Sequence, residues 1–381
     1  MRKEGNGFGG QENIRERGEK MFYSRVCEKL QITYPIIQAG MAGTVVTPEL
    51  VAAVSNSGGL GTLGAGYMSS EEVRLAVRAI RQLTDKPFAV NLFITKDVQI
   101  NEKQVEEAQH LLQPICEQLQ LEIVKQTVQL PENYTEQLKV LIEENVPVFS
   151  FTFDTPKQEE IELLKRHGIK IIGTATNMAE GKVLAHLGVD IIVGQGSEAG
   201  GHRGTFLGKE QDSMIGTTAL IPQLVDAIPH IPIVAAGGIM DGRGVVAAYA
   251  LGAEGVQMGT AFLTCYESAA HKAHKEAIIK SADQSTTMTR AFSGKYARGI
   301  QNDFIEQLKN KEEKFPAYPI QNALTTDIRK AAVKQNNREY MSLWAGQASS
   351  LAQIEGAQQT IMRVMKEAKE TLTRLQSTVY K

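Results

Sequence analysis

The chain has 381 residues, 42% hydrophobic and 22% charged, enough apolar material for one large α/β barrel with an accessory segment or for two to three average domains. Lys plus Arg (41) nearly balance Asp plus Glu (43), which argues against the basic face that a nucleic-acid or membrane-surface partner would need. Three cysteines (Cys27, Cys116, Cys265), odd in number and far apart, exclude a disulfide framework and a four-Cys zinc site, and the apolar stretches are too short to span a bilayer. A reducing cytoplasm is the expected compartment.

From the N-terminus, residues 1–21 read as a disordered tail rich in glycine and charge, without the apolar core of a signal peptide. Met21 is a candidate natural start. Eight short runs then follow: PIIQAGM (35–41), GLGTLGAG (59–66), FAVNLF (88–93), VPVFSFTF (146–153), KIIGTAT (170–176), DIIVGQG (190–196), PIVAAGG (232–238) and GVQMGTAF (255–262). Most are continuously apolar, as expected of parallel strands buried on both faces. Amphipathic helical stretches lie between them, with Ser69 or Ser70, Thr155 and Thr176 as expected N-caps. Gly168, Gly188 and Gly252 each follow such a stretch and precede a strand, the place of a C′ glycine. Eight β-α alternations predict a (β/α)₈ TIM barrel over 22–263; a doubly wound open sheet is the alternative, and the count of eight favours closure.

Two segments depart from the bare barrel. Residues 96–145 form a long helical connection after the third strand, and 264–340 lose the strand-helix rhythm, as a small lid or substrate segment would. Residues 341–381 are expected to return to the barrel as its closing helix.

Gly59, Gly61 and Gly64 match the dinucleotide fingerprint G-x-G-x-x-G, but a helical segment precedes them and they lie in the strand itself. Close packing of strands is the better reading. A stronger signal is Gly237 and Gly238 at the end of the seventh run with Gln257, Met258, Gly259 and Thr260 in the eighth, where barrels commonly bind phosphate through backbone N–H groups. The sequence QGSEAGGHRGTF (195–206) sets His202 and Arg203 among glycines at a barrel mouth, making His202 a candidate acid or base. The other histidines, His274 among them, read as solvated or capping, and HKAH (271–274) lacks the residues of a zinc motif, so no metal is expected.

Together YPIIQAGMAG (34–43), SNSGGLGTLGAG (55–66), FAVNLF, FSFTFDTP (149–156), QGSEAGGHRGTF, AAGGIMDGR (235–243), GVQMGTAF, FSGKYARGI (292–300) and LWAGQ (343–347) resemble the nitronate monooxygenase family, class I bacterial type, formerly called 2-nitropropane dioxygenases. The resemblance implies FMN, held without a covalent bond. It implies that Ala39, Gly40 and Met41 pass along the isoalloxazine and that Asn91 and Gln195 hydrogen-bond the flavin. Gly200, Gly201, Gly237, Gly238 and the stretch from Gln257 through Met258 and Gly259 to Thr260 would cradle it. His202 is implied as the catalytic residue, with Arg203 and Arg298 as candidate cations for an anionic substrate. The reaction implied is oxidation of an alkyl nitronate, such as propionate 3-nitronate, by O₂ to a carbonyl compound and nitrite. A homodimer is left open. Many members carry Pro where this chain has Gly40, so a looser wall is expected there. The rival readings are an FMN-dependent enoyl-acyl-carrier-protein reductase or NAD(P)H:quinone reductase on the same barrel, and more remotely a flavin-binding sensor.

Overall fold

The computed structural model describes residues 22–95, 98–121, 128 and 132–379. The expected N-terminal tail and the start at Met21 lie outside the described residues. In chain order the barrel strands are β1 (Ile36–Gln38), β2 (Gly61–Gly64), β3 (Phe88–Phe93), β4 (Val148–Thr152), β5 (Lys170–Ala175) and β6 (Ile191–Gln195). A two-residue strand, β7 (Gly201–His202), then leaves the barrel, which β8 (Ile233–Ala236) and β9 (Gly255–Met258) complete. The eight strands lie parallel in the order β1-β9-β8-β6-β5-β4-β3-β2, and a parallel bridge between Ile37 and Leu60 brings the two ends of the sheet together. The fold is a nearly closed TIM barrel, not an open sheet.

The strands are buried runs because helices cover the outer face while side chains fill the interior. Gly61 and Gly64 are packing glycines, as their position in the strand predicts: a Cβ on them would stand 2.1 Å from Val51 O and 2.3 Å from the Met41 carbonyl carbon. Ser69 caps helix Ser70–Leu83 in a capping box with Glu72. The other two expected caps shift. Pro156 disfavours helical backbone at Thr155, and helix Gln158–Arg166 begins where the Glu160 carboxylate accepts from Lys157 N at 2.7 Å. Thr176 donates its N–H and hydroxyl to the buried Glu180 carboxylate, so Asn177 caps helix Met178–Leu187 instead.

After β9 come β10 (Thr286–Thr289) and β11 (Ala297–Ile300), which form a small antiparallel sheet in the order β10-β11-β7. Ala297 pairs with His202 and Arg298 with Gly201, so this sheet fixes the backbone of the glycine-rich loop. The accessory segment has its own core, in which Phe292, Phe304, Phe315, Ile320 and Ile328 pack with Val105, Leu112 and Ile115. The last three belong to helix Glu102–Gln118, so this part of the connection after β3 joins the accessory unit, whereas helix Tyr134–Glu143 packs on the barrel through Leu138, Val140 and Leu141. Helix Ala357–Val379 returns to the barrel, where Ile361, Val364 and Ala368 enter the main core. No helix among the described residues is long and apolar enough to cross a membrane.

Candidate active site

A cavity of about 960 Å³ lies at the C-terminal ends of the barrel strands, between barrel and accessory segment. That is the end where barrels carry their chemistry, because the βα loops converge there. Ala39, Gly40, Met41, Asn91, Gln195, Gly200, Gly201, His202, Gly237, Gly238, Gln257, Gly259 and Thr260 all line it. Met258 does not. Strand alternation turns its side chain outward into the main core, while Gln257 and Gly259 face the cavity.

The backbone at Gly238 and Gly259, past the ends of β8 and β9, is open to this space, whereas a Cβ on Gly237 would stand 2.9 Å from Thr217 Oγ1. Gly237 and Gly238 have φ of +117° and +71°, and a Cβ on Gly238 would meet nothing closer than Glu198 Cβ at 3.4 Å. At Gly259 the nearest atoms to such a Cβ, Ala39 Cβ and Met41 Sδ, are 3.6 Å away. Gly200 is glycine for another reason: its Cβ would stand 2.5 Å from the carbonyl carbon of Ala345, where the LWAGQ segment crosses. Gly346 N donates to Thr260 Oγ1 at 3.0 Å and Gln347 N to Glu198 O at 2.9 Å, which ties that segment to the barrel mouth.

The wall at Gly40 is not looser, contrary to expectation. A Cβ there would stand 2.5 Å from Asn91 Cβ and 3.1 Å from Thr62 Cγ2, so neighbouring side chains already fill the space. Asn91 Nδ2 donates to Ser150 Oγ at 2.8 Å, which holds its amide at the cavity edge. Gln195 is committed to the loop: its Nε2 donates to His202 O at 3.0 Å and its Oε1 accepts from Gly204 N at 2.8 Å.

His202 is half-buried, its ring centroid 5.5 Å from that of Phe153, 5.4 Å from Trp344 and 6.3 Å from Tyr318. Its Nε2 lies 2.8 Å from Ser293 Oγ. Burial among these rings, with Lys295 and Arg329 as further positive charges, pushes its pKa down to about 3. The imidazole is therefore neutral at physiological pH, and so low a pKa makes it a weak base until a charge bound in the cavity raises it.

The two expected substrate cations serve the scaffold. Arg203 is fully buried, and its guanidinium donates to Gly196 O at 2.6 Å, Gln195 O at 3.0 Å and Ser213 O at 2.9 Å. Arg298, also buried, donates to Ser197 O at 2.9 Å and Thr286 Oγ1 at 3.4 Å. Neither lines the cavity; Arg329 and Lys330 do, on helix Thr326–Lys334, which the sequence reading passed over. His274 is a further correction. It is buried against the cavity, with Nε2 2.9 Å from Trp344 O, and burial lowers its pKa to about 4. The signal was present: His274 shares a helix face with Ile278, which is fully buried. Ser293 and Trp344 lay within noted motifs, whereas nothing local marked Tyr67 as cavity-lining.

The Nitronate monooxygenase family profile matches residues 24–367. A probable nitronate monooxygenase of Staphylococcus saprophyticus is 46% identical over 353 residues, covering 92% of this chain and 99% of the relative. One from Staphylococcus aureus is 47% identical over 352 residues, covering 92% and 98%. Among solved structures, nitroalkane oxidase from Streptomyces ansochromogenes matches with a TM-score of 0.86 at 36% identity, over 92% of this chain and 100% of that one. FabK from Thermotoga maritima matches at 0.74 and 32%, over 93% and 99%. With His202 set in a barrel-mouth cavity and these matches along nearly its whole length, the chain belongs to the nitronate monooxygenase family and is an enzyme of the flavin oxidoreductase class.

Proposed function

We propose that the protein binds FMN and oxidises alkyl nitronates, such as propionate 3-nitronate, with O₂ to a carbonyl compound and nitrite, a detoxifying reaction. The observation that carries this reading is the placement of a neutral His202 and an open glycine cradle in one cavity. The cavity has the size of a cofactor site. The residues fit the group: Gly237, Gly238, Gly259 and Thr260 would hold its phosphate through their backbone, and Asn91 and Gln257 offer amides to its ring. When bound, FMN supplies the one-electron redox chemistry.

The chain supplies position, field and a proton acceptor. His202 can take the α-proton of a neutral nitroalkane, whereas a nitronate has already lost it. Phe153, Trp344 and the rings beside them exclude water from the reacting carbon. The three thiols, free in this structure, fit a reducing cytoplasm.

The likeness to FabK favours one second reading, reduction of an enoyl thioester on the same barrel. The test compares O₂ uptake by the purified, flavin-loaded protein on propionate 3-nitronate with NADH and NADPH oxidation on crotonyl thioester. O₂ uptake with nitrite release is the expected result. Thioester-dependent NAD(P)H oxidation without nitronate turnover would replace it with the reductase reading, and a protein that takes up no FMN would overturn both.

A further inference from the structure

We propose that Ser150 is a further flavin ligand: its hydroxyl donates to a carbonyl of the ring and raises the redox potential of the bound cofactor. The same oxygen, by accepting from Asn91, holds that amide in one orientation. The inference rests on the FMN reading above and adds a residue to it.

Strand β4 alternates: Phe149 and Phe151 pack outward in the main core and Val148 inward in the barrel interior, so Ser150 faces inward at the mouth. In the parallel register it stands directly opposite Asn91 of β3. Both side chains are buried, and both line the cavity. The residues in register on either side of the pair offer the amide nothing polar, since Gly64 on β2 has no side chain and Ile172 on β5 is apolar. Among the described residues, the 2.8 Å bond from Nδ2 to Ser150 Oγ is the only protein hydrogen bond of the Asn91 amide.

That bond decides what the pair shows the cavity. With Nδ2 donating and Ser150 Oγ accepting, Asn91 Oδ1 has no protein donor and the serine hydrogen no protein acceptor among the described residues. An acceptor and an O–H donor then stand side by side, the complement of the N–H and C=O that adjoin in the flavin's pyrimidine ring. With the amide turned over, the serine hydrogen would be spent on Oδ1 and the cavity would meet N–H groups alone. A donor to a ring carbonyl bonds more strongly once electrons, and with them negative charge, reach the ring, so it favours the reduced flavin. As packing alone the two polar groups are unneeded, because an apolar pair of the same shape fills a buried site at little or no cost.

The experiment measures the midpoint potential of the FMN-loaded protein, anaerobically against an indicator dye, with the dissociation constant of oxidised FMN beside it. Ser150→Ala should bind reduced FMN about tenfold less tightly relative to oxidised FMN, a drop of about 30 mV in the two-electron potential. Ser150→Thr keeps the hydroxyl and should stay at the wild-type potential. Ser150→Cys, close to serine in shape but a weak donor, should fall between the two. An unmoved potential in Ser150→Ala would overturn the proposal, and so would equal drops in Ser150→Ala and Ser150→Thr, the sign of a packing effect. If Ser150→Ala does not fold, Ser150→Cys against Ser150→Thr decides by the same criterion. A wild-type protein that takes up no FMN overturns the FMN reading together with this one, whereas a flavin-loaded protein with an unmoved potential overturns this one alone.

Discussion

Ser293 Oγ lies 2.8 Å from His202 Nε2 and 3.1 Å from the Lys295 carbonyl oxygen, and it has one proton to share between them. If that proton goes to the carbonyl, Nε2 must bring its own hydrogen and Nδ1 is the basic nitrogen. If it goes to Nε2, the tautomer reverses. Ser293→Ala removes this control and should lower kcat about fivefold, the value of one ordinary hydrogen bond of roughly 1 kcal/mol, at unchanged flavin content. Steady-state kinetics beside the flavin absorbance ratio checks it.

His202→Asn should act differently on two substrates. General-base catalysis contributes about 10²- to 10⁴-fold, and only a neutral nitroalkane needs it. Wherever wild-type turnover of a nitroalkane is measurable, the variant should lose it while nitronate oxidation falls less. Equal losses would assign His202 to positioning.

The two imidazoles facing the cavity, His202 half-buried and His274 buried, should make folding acid-sensitive. In the unfolded chain each titrates near 6.5, whereas in the folded protein His202 falls to about 3 and His274 to about 4. Between those values the unfolded chain binds more protons, so stability falls as pH drops below about 6.5 and is unaffected by these groups above it. The slope is about 1.4 kcal/mol per pH unit for each histidine. Thermal melts at pH 7 and pH 5 should show a smaller acid loss for His202→Asn than for wild type. Over pH 5–8 no acid limb from His202 should appear in kcat/KM.

Gly40→Ala should be worse than its size suggests. The new methyl has to displace Asn91, whose Cβ would be 2.5 Å away, and overpacking of this kind costs about 1–3 kcal/mol. A lower Tm and a weaker FMN dissociation constant are the expected outcomes. An unchanged Tm with full flavin would show that Asn91 moves freely.

Gly238→Val tests the cradle. At φ +71° a β-branched residue is strained, and its side chain would enter the space above the end of β8. Flavin content measured after gel filtration should fall sharply. Full occupancy would mean that the phosphate sits elsewhere.

The barrel was legible because parallel strands buried on both faces write continuous apolar runs, such as FAVNLF, whose residues 88–92 are buried. The accessory sheet was not. Strand β10 reads TTMT and β7 has two residues, too short and too polar to carry a period. At the site, the strand-end residues were found because alternation and glycine mark them, whereas the arginines were not sorted correctly. All three arginines donate to scaffold carbonyls, and only tertiary packing puts Arg329 in the cavity wall and leaves Arg203 and Arg298 out of it.

The shared core of helix Glu102–Gln118 and the accessory segment sets an order on synthesis. Val105, Leu112 and Ile115 leave the ribosome long before Phe292, Phe304, Phe315 and Ile328, their packing partners. Until the later residues emerge, the nascent chain carries an apolar helix face with nothing to cover it, while β4 to β9 are still being made. Contacts so far apart in sequence close late and slowly. The roof over the cavity is therefore among the last parts to assemble, and a chain stopped before residue 292 would present that uncovered face as a site for aggregation or chaperone capture.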